Sequence, residues 1–210
     1  MIRVLIADDH AIVREGLKQI LAETPDLVVS GEASDGAEAL KKVRENQYEV
    51  VVLDITMPGR SGLDVLKDLK VEKPNVPVIV LSVHPEEQYA VRVLRAGAAG
   101  YLTKLRAPEE LVAAIRQVAG GRKYITTSLG EKLAGELEDA GEGPPHERLS
   151  DREFQVMLMT ASGKAVKEIA RELLLSPKTV STYHSRVLEK LRLCGNAELT
   201  RYVIEHQLLD

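Results

Sequence analysis

The sequence predicts an α/β domain, a five-stranded parallel sheet doubly wound by helices, followed by an all-α domain of four helices. Three observations predict it. Over residues 2–120, short runs rich in β-branched residues alternate with stretches of helical apolar spacing. One run, Val50–Leu53, is almost uninterrupted in its apolar character, as strands covered on both faces are. After residue 149 the strand pattern disappears.

The five runs are Ile2–Ala7, Leu27–Ala33, Val50–Leu53, Val78–Leu81 and Gly100–Thr103. Between and after them, helical spacing is carried by Ile12, Leu17, Ile20 and Leu21, by Ala39, Leu40 and Val43, and by Leu63, Leu66 and Leu69. It continues in Val91 and Leu94, then in Leu111, Ile115 and Val118. Ser128–Leu137 is helix-compatible, but Gly141, Gly143, Pro144 and Pro145 end any helix, and the acidic Glu-Asp-Ala-Gly-Glu-Gly stretch reads as linker. The domains are therefore expected at 1–120 and 148–210, with a partly helical linker over 121–147. In the second domain, helices are expected at Ser150–Ala161, Val166–Leu174, Pro177–Leu193 and Asn196–His206. Ser150 with Glu153 has capping-box spacing, Ser176-Pro177 marks a second start, and Gly163 and Gly195 sit where helices should stop.

With 210 residues, 44% apolar and 29% charged, the chain has close to ordinary globular composition, which argues against a disordered chain. One Phe, six Tyr and no Trp disfavour binding by aromatic stacking platforms. The single cysteine, Cys194, allows no intrachain disulfide and fits a reducing compartment. The first apolar run meets Asp8-Asp9 too early for a signal peptide, and no stretch reaches the length of a membrane span. A cytoplasmic protein without membrane partners is expected.

Ligands of open parallel sheets bind beyond the carboxyl ends of the strands. Those ends carry Asp8 and Asp9, Asp54, Ser82 and Lys104. Any one of them equally serves as a helix cap. Together, three carboxylates demand a counter-charge, and Mg²⁺ supplies one with oxygen ligands to spare for a phosphate. Lys104 and Ser82 suit the remaining phosphoryl oxygens. The chemistry expected is in-line phosphoryl transfer onto a carboxylate, with Asp54 at the end of the central strand as acceptor.

Residues 1–120 resemble the receiver domain of two-component response regulators. The resemblance rests on Leu5-Ile6-Ala7-Asp8-Asp9-His10, Val52-Leu53-Asp54-Ile55-Thr56-Met57-Pro58-Gly59, Val80-Leu81-Ser82 and Gly100-Tyr101-Leu102-Thr103-Lys104. It implies that Asp54 is the phospho-acceptor and that Asp8 and Asp9 hold Mg²⁺, Asp9 more directly, with the Thr56 backbone carbonyl as a further ligand. It also implies that Ser82 and Lys104 meet the phosphoryl oxygens, and that Tyr101 changes rotamer with phosphorylation. Leu105 departs from the pattern, standing where many receivers place proline.

In the second domain, Val180, Val187 and Leu191 share one helical face, while Lys178, Ser181, Thr182, Ser185 and Arg192 lie broadly opposite. Such a face suits a recognition helix in a major groove, or equally an ordinary solvated surface. Residues 149–210 resemble the DNA-binding domain shared by LuxR, NarL and FixJ proteins, through Leu149-Ser150-Asp151-Arg152-Glu153, Lys167-Glu168-Ile169-Ala170, Ser176-Pro177-Lys178-Thr179-Val180 and Lys190-Leu191. The resemblance implies a scaffold helix Val166–Leu174 and a recognition helix Pro177–Leu193. Lys178, Thr179, Ser181, Thr182 and Ser185 become candidates for DNA contact, with Lys167, Arg186 and Lys190 reaching phosphates. Ser181 and Tyr183 depart from residues common in the family.

The whole implies a transcriptional regulator with no enzymatic turnover beyond Mg²⁺-dependent self-phosphorylation and autodephosphorylation of Asp54. Its partners would be a sensor histidine kinase and double-stranded DNA, bound as a homodimer on a roughly palindromic site. A dinucleotide-binding reading fails because Asp-Asp-His-Ala-Ile-Val follows the first strand where glycines are needed. An aspartyl-phosphate phosphatase would carry a second Asp where Thr56 stands, and a helical domain binding protein or RNA stays as a competing reading. The five histidines, His10, His84, His146, His184 and His206, show no metal-site spacing and read as structural or solvated. Charge is unevenly spread: of the net −4, residues 146–210 carry +1, and residues 176–192 alone carry +3.

Overall fold

The computed structural model describes residues 1–57, 61–138, 144–206 and 208–209. Pro58 and Gly59 of the motif after Asp54, and the expected linker glycines Gly141 and Gly143, lie outside the described residues. Contacts divide the chain into two compact units, residues 1–132 and 133–210.

The first unit alternates strand and helix: β1 Ile2–Ala7, α1 Ala11–Ala22, β2 Leu27–Ala33, α2 Gly36–Glu45, β3 Val50–Asp54, α3 Gly62–Glu72, β4 Val78–Ser82, α4 Glu86–Arg95, β5 Gly100–Thr103 and α5 Ala107–Ala119. The five strands form one parallel sheet in the order β2-β1-β3-β4-β5. Alternation along the strands separates two apolar faces. Val4, Ile6, Val50, Val52, Ile79, Leu81 and Leu102 pack with Leu17 and Leu21 of α1 and Leu111, Ile115 and Val118 of α5. Their neighbours Leu5, Val51, Leu53 and Val80 point the other way and are just as buried. The doubly covered sheet explains why the strands read as apolar runs.

Two local features position the edge that matters. Gly62 opens α3 so close to the loop after Asp54 that a Cβ there would lie 2.4 Å from Ile55 Cα, and its N–H donates to the Ile55 carbonyl at 3.1 Å. Beyond α5, Tyr124 bridges Gly100 at the sheet edge, its N–H donating to the Ala99 carbonyl at 2.7 Å. The Tyr124 hydroxyl donates to Glu110 Oε2 at 2.8 Å, and Arg106 pairs with Glu110 at 2.5 Å. Thr126 Oγ1 bonds Glu86 Oε1, so this short segment is fastened to the starts of both α4 and α5. α6 follows at Thr127–Glu138, one residue longer at each end than expected.

The second unit opens with a turn of 3-10 helix at Pro145–Arg148 and continues with α7 Asp151–Ala161, α8 Val166–Glu172, α9 Pro177–Leu191 and α10 Asn196–Glu205. Val156, Ile169, Ala170, Leu173 and Val180 form its core, and Val187, Leu191, Leu199 and Val203 are buried too. The Ser150–Glu153 capping box is present, and Ser176 caps α9 by accepting from the Thr179 N–H at 3.0 Å. Gly163 takes the positive φ of 85° that ends α7. Gly195 does not end α9: Arg192 does, in the left-handed region at φ 56°, while Gly195 is the extended N-cap of α10. The turn between α8 and α9 is likewise made by Leu174 at φ 52°. Helices were expected to run on to Leu174 and Leu193; the left-handed residues stop them sooner. Among the described residues, no helix is long and apolar enough to cross a membrane.

Burial, then the hydrogen bond to Glu110, push the Tyr124 phenol up to about 12 from its ordinary 10. A raised pKa means that the neutral phenol stabilises fully below pH 10 and that this contribution is lost as pH rises through 12. Urea unfolding of wild type and Tyr124→Phe across this range is expected to show wild type ahead by about 1 kcal/mol at pH 8, with the gap closing towards pH 12.

Candidate functional site

In this strand order the connections turn in opposite directions from β1 and β3, which places the ligand crevice between their carboxyl ends. Ala7 lies opposite Leu53, so Asp8 and Asp54 leave the sheet side by side. Leu81 lies opposite Asp54 and Thr103 opposite Ser82, bringing Ser82 and Lys104 to the same edge.

Asp8 and Asp54 are each 1% exposed. Burial of two carboxylates is sustained by Lys104, whose Nζ stands 2.7 Å from Asp8 Oδ2 and 2.8 Å from Asp54 Oδ2. Burial works against the Lys104 ammonium, but the Asp54 charge and the hydrogen bonds to Asp54 and Asp8 outweigh it and hold its pKa above the ordinary lysine value. The other Asp54 oxygen, Oδ1, accepts from the Thr56 N–H at 2.9 Å and its hydroxyl at 2.8 Å, so both oxygens are oriented.

Asp8, Asp9, His10 and Asp54 each present one ligand atom within 4.8 Å of the others. The carboxylates form a hard oxygen set of the kind Mg²⁺ takes. Asp8 Oδ2 and Asp9 Oδ1 are also buried, the first 2.7 Å from Lys104 Nζ and the second 2.8 Å from His10 Nδ1, so both face inward on the crevice. The donor set fits. His10 joins the group although its spacing suggested only a structural or solvated role: its N–H donates to Asp8 Oδ1 at 2.8 Å and its Nδ1 lies 2.8 Å from Asp9 Oδ1.

Ser82 is fully buried and its Oγ accepts from the His84 N–H at 3.0 Å, which leaves the hydroxyl proton free to donate. The His84 carbonyl accepts from the Tyr101 hydroxyl at 2.8 Å, and Tyr101 is 1% exposed. One peptide segment thus joins the Ser82 hydroxyl to the Tyr101 ring. Leu105 is exposed and carries no contact of this group.

On α9, Lys178, Ser181, Thr182, Ser185 and Arg186 are exposed and Thr179 is half-buried. By helix geometry Lys178, Ser181, Thr182 and Ser185 span an arc of roughly 100°, opposite the buried Val180, Val187 and Leu191. The hydroxyls of Ser181, Thr182 and Ser185 each donate 3.0 Å to the carbonyl four residues back, keeping their oxygens available as acceptors. Lys167, on α8, is exposed. Lys190 lies on the flank of this arc, and its Nζ is 2.7 Å from Glu153 Oε2 of α7. The Glu153 side chain is 3% exposed and that of Lys190 43%. Lys190 therefore braces α9 against α7, a role its place in the sequence did not show.

The family model described as the response regulator receiver domain matches residues 4–116, more than half of the chain, and that of the bacterial regulatory proteins of the luxR family matches residues 147–203. The chain belongs to the response regulators. Similar full-length response regulators are UvrY of Escherichia coli K12, 43% identical over all of this chain and 97% of that protein, and GacA of Pseudomonas aeruginosa, 40% identical over all of this chain and 99% of that protein. Among solved structures, the RcsB response regulator of Salmonella typhimurium is 27% identical at a TM-score of 0.69, covering 98% of both chains. RcsB bound to the promoter rprA in the presence of the phosphomimetic BeF3− is 27% identical at a TM-score of 0.65, over 97% of this chain and 98% of that one. Receiver and LuxR-type DNA-binding domains in one chain make this response regulator a phosphorylation-controlled, DNA-binding regulator of transcription.

Glu153 generates a prediction about the DNA-binding unit. Burial raises its pKa, but the hydrogen bonds from Lys190 and Ser150 dominate and hold it below the ordinary value. A depressed pKa stabilises above the unfolded value and the contribution is lost as pH falls through the folded one. Lys190→Met is expected to lower the unfolding free energy of this unit by about 1–3 kcal/mol at pH 7, with the deficit shrinking on acidification below about pH 4.5. Chemical denaturation of the two chains at pH 7 and pH 3.5 checks it.

Proposed function

We propose that this response regulator takes a phosphoryl group on Asp54 from a sensor histidine kinase, that Asp8, Asp9, Asp54 and the Thr56 carbonyl hold the Mg²⁺ this requires, and that the product alters DNA binding by α9. The single observation carrying this reading is the pairing of Lys104 with both Asp8 and Asp54 at the mouth of the sheet. That arrangement sets one ammonium against two carboxyl groups held close together, ready to exchange internal pairing for a phosphoryl group.

Mg²⁺, when bound, neutralises charge on the phosphoryl oxygens during transfer. The protein's residues do the rest. An Asp54 oxygen attacks phosphorus as the bond from phosphorus to the phosphohistidine nitrogen breaks; with the ring's other nitrogen protonated, this leaves an acyl phosphate on Asp54 and a neutral imidazole on the kinase. Lys104 contributes its ammonium to the new dianionic group, and Ser82 donates its free hydroxyl proton to a phosphoryl oxygen. Attack of water on the same phosphorus returns the carboxylate and releases phosphate, the autodephosphorylation that bounds the signal in time. Turnover of other substrates is no part of this activity.

Drawing Ser82 towards a phosphoryl oxygen releases the His84 N–H, and the same peptide segment carries the carbonyl that holds the Tyr101 hydroxyl. Tyr101 is thereby the second half of a switch that remodels the face of α4, β5 and α5. DNA reading falls to Lys178, Thr179, Ser181, Thr182 and Ser185, with Lys167, Arg186 and Lys190 toward phosphates, Lys190 sharing its charge with Glu153. The solved complexes of RcsB with DNA, including two RcsB dimers bound to two parallel DNAs, support a homodimer on DNA for this chain. The assigned domains, a receiver at 1–120, a linker at 121–147 and a DNA-binding domain at 148–210, act in the cytoplasm.

Asp54→Asn is expected to abolish Mg²⁺-dependent labelling by acetyl phosphate or by a histidine kinase while leaving the fold intact. Mass spectrometry of intact protein reads the 80 Da increment, on the order of one phosphoryl group per chain at most. Persistent labelling of the variant would remove Asp54 from its role.

A further inference from the structure

Asp8 is held at both of its peptide groups. Its N–H donates to the Ala33 carbonyl of β2 at 3.1 Å, and its carbonyl accepts from Arg14 Nη1 at 2.6 Å. Arg14 belongs to α1, where its own N–H donates to the His10 carbonyl at 3.1 Å. Its Nε lies 3.4 Å from Glu32 Oε2 on β2, and the other Glu32 oxygen is 2.8 Å from Lys18 Nζ. The Arg14 side chain is only 18% exposed. A single guanidinium therefore joins the loop after β1, the first turns of α1 and the end of β2.

We infer that Arg14 is a positioning residue for the cation site: by fixing the Asp8 carbonyl it sets the direction in which the Asp8 and Asp9 side chains leave the backbone, and Glu32, braced by Lys18, aims it. The inference rests on the reading of Asp8, Asp9 and Asp54 as metal-holding residues. Arg14 touches neither a carboxylate of that group nor a phosphoryl position in the structure, and acts through the backbone. The planar fork matters: Nη1 donates to the Asp8 carbonyl while Nε, which makes no hydrogen bond of good geometry among the described residues, stays at ion-pair distance from Glu32, a spread that a lysine ammonium supplies only in part. Glu32 in turn feels both cations; its carboxyl is held below the ordinary value chiefly by the hydrogen bond from Lys18, with Arg14 adding to it.

Positioning and simple charge make opposite demands, which renders the inference testable. A guanidinium near a cation site repels the cation, so if charge alone mattered its removal would tighten binding. If Arg14 orders the acid loop, its removal weakens binding, on the scale of about tenfold that outer partners of metal ligands typically carry.

The experiment titrates Mg²⁺ into the full chain by isothermal calorimetry and by amide shifts of residues 8–10, for wild type, Arg14→Met, Arg14→Lys and Glu32→Gln, with circular dichroism as the check of fold. Arg14→Met is expected to weaken Mg²⁺ about tenfold, Arg14→Lys to restore part of it, and Glu32→Gln to fall between. Unchanged or tighter binding by a folded Arg14→Met overturns the inference. Should that variant not fold, wild-type affinity in both Arg14→Lys and Glu32→Gln overturns it equally. Failure of wild type itself to bind Mg²⁺ would instead overturn the cation-site reading, and the inference with it.

Discussion

Lys104 sits between two buried carboxylates, and the receiver unit is arranged around that triad. Asp8 directly follows β1 and Asp54 ends the adjacent β3, in a sheet whose buried residues are apolar apart from Asp54 and Ser82, so their charge has only the crevice in which to be compensated. The ammonium compensates it in the resting molecule. In the proposed function a divalent cation and a phosphoryl group entering together would replace that pairing without leaving charge unmatched, the cation against the carboxylates and Lys104 against the phosphoryl oxygens. The same constraint explains the fixed surroundings. Gly62 lets α3 close on the loop after Asp54, Thr56 orients one carboxylate oxygen, and the loop after β1 is tied down at both peptide groups of Asp8.

The second unit is organised by different means. Its helices are set by caps at Ser150 and Ser176, by left-handed stops at Leu174 and Arg192, and by one largely buried acidic group, Glu153, that both closes the capping box and meets Lys190. These leave a face of short hydroxyl side chains and Lys178 exposed along α9. Ser181, Thr182 and Ser185 satisfy their own protons internally and so present acceptor oxygens beside a cation. Such a surface suits the groove reading proposed for it and needs no aromatic stacking, consistent with a chain that has one Phe and no Trp. The concentration of basic charge over 176–192, in a chain of net −4, belongs to the same design.

Most of the architecture was legible because it is local. Strands β1, β2 and β5 begin and end where the apolar runs do, and β3 and β4 extend one residue further, to Asp54 and Ser82 themselves. The strand-end residues of the site were legible for the same reason, since parallel strands deliver their ends to one edge. What the sequence hid depends on partners far along the chain. Lys190 is expected from the sequence only to reach DNA phosphates; its pairing with Glu153, 37 residues away and largely buried beneath it, is a long-range contact. Arg14 belongs to no spacing rule, because its partners lie apart, Asp8 in the loop after β1 and Glu32 on β2. His10 enters the acid group through the bend after β1, which metal-ligand spacing does not capture. Helices end short of their sequence-expected limits where Arg192 and Leu174 adopt backbone conformations usually left to glycine.

In the proposed function the state of Asp54 governs what α9 does at DNA. Its most direct test is the DNA affinity of the intact chain, measured by fluorescence anisotropy at fixed salt with and without beryllofluoride and Mg²⁺, for wild type and for Asp54→Asn. Beryllofluoride is expected to tighten binding by wild type several-fold or more, within the usual range of coupling between two sites, and to leave Asp54→Asn unmoved. Equal affinity of wild type with and without beryllofluoride, or the same shift in the variant, would contradict it.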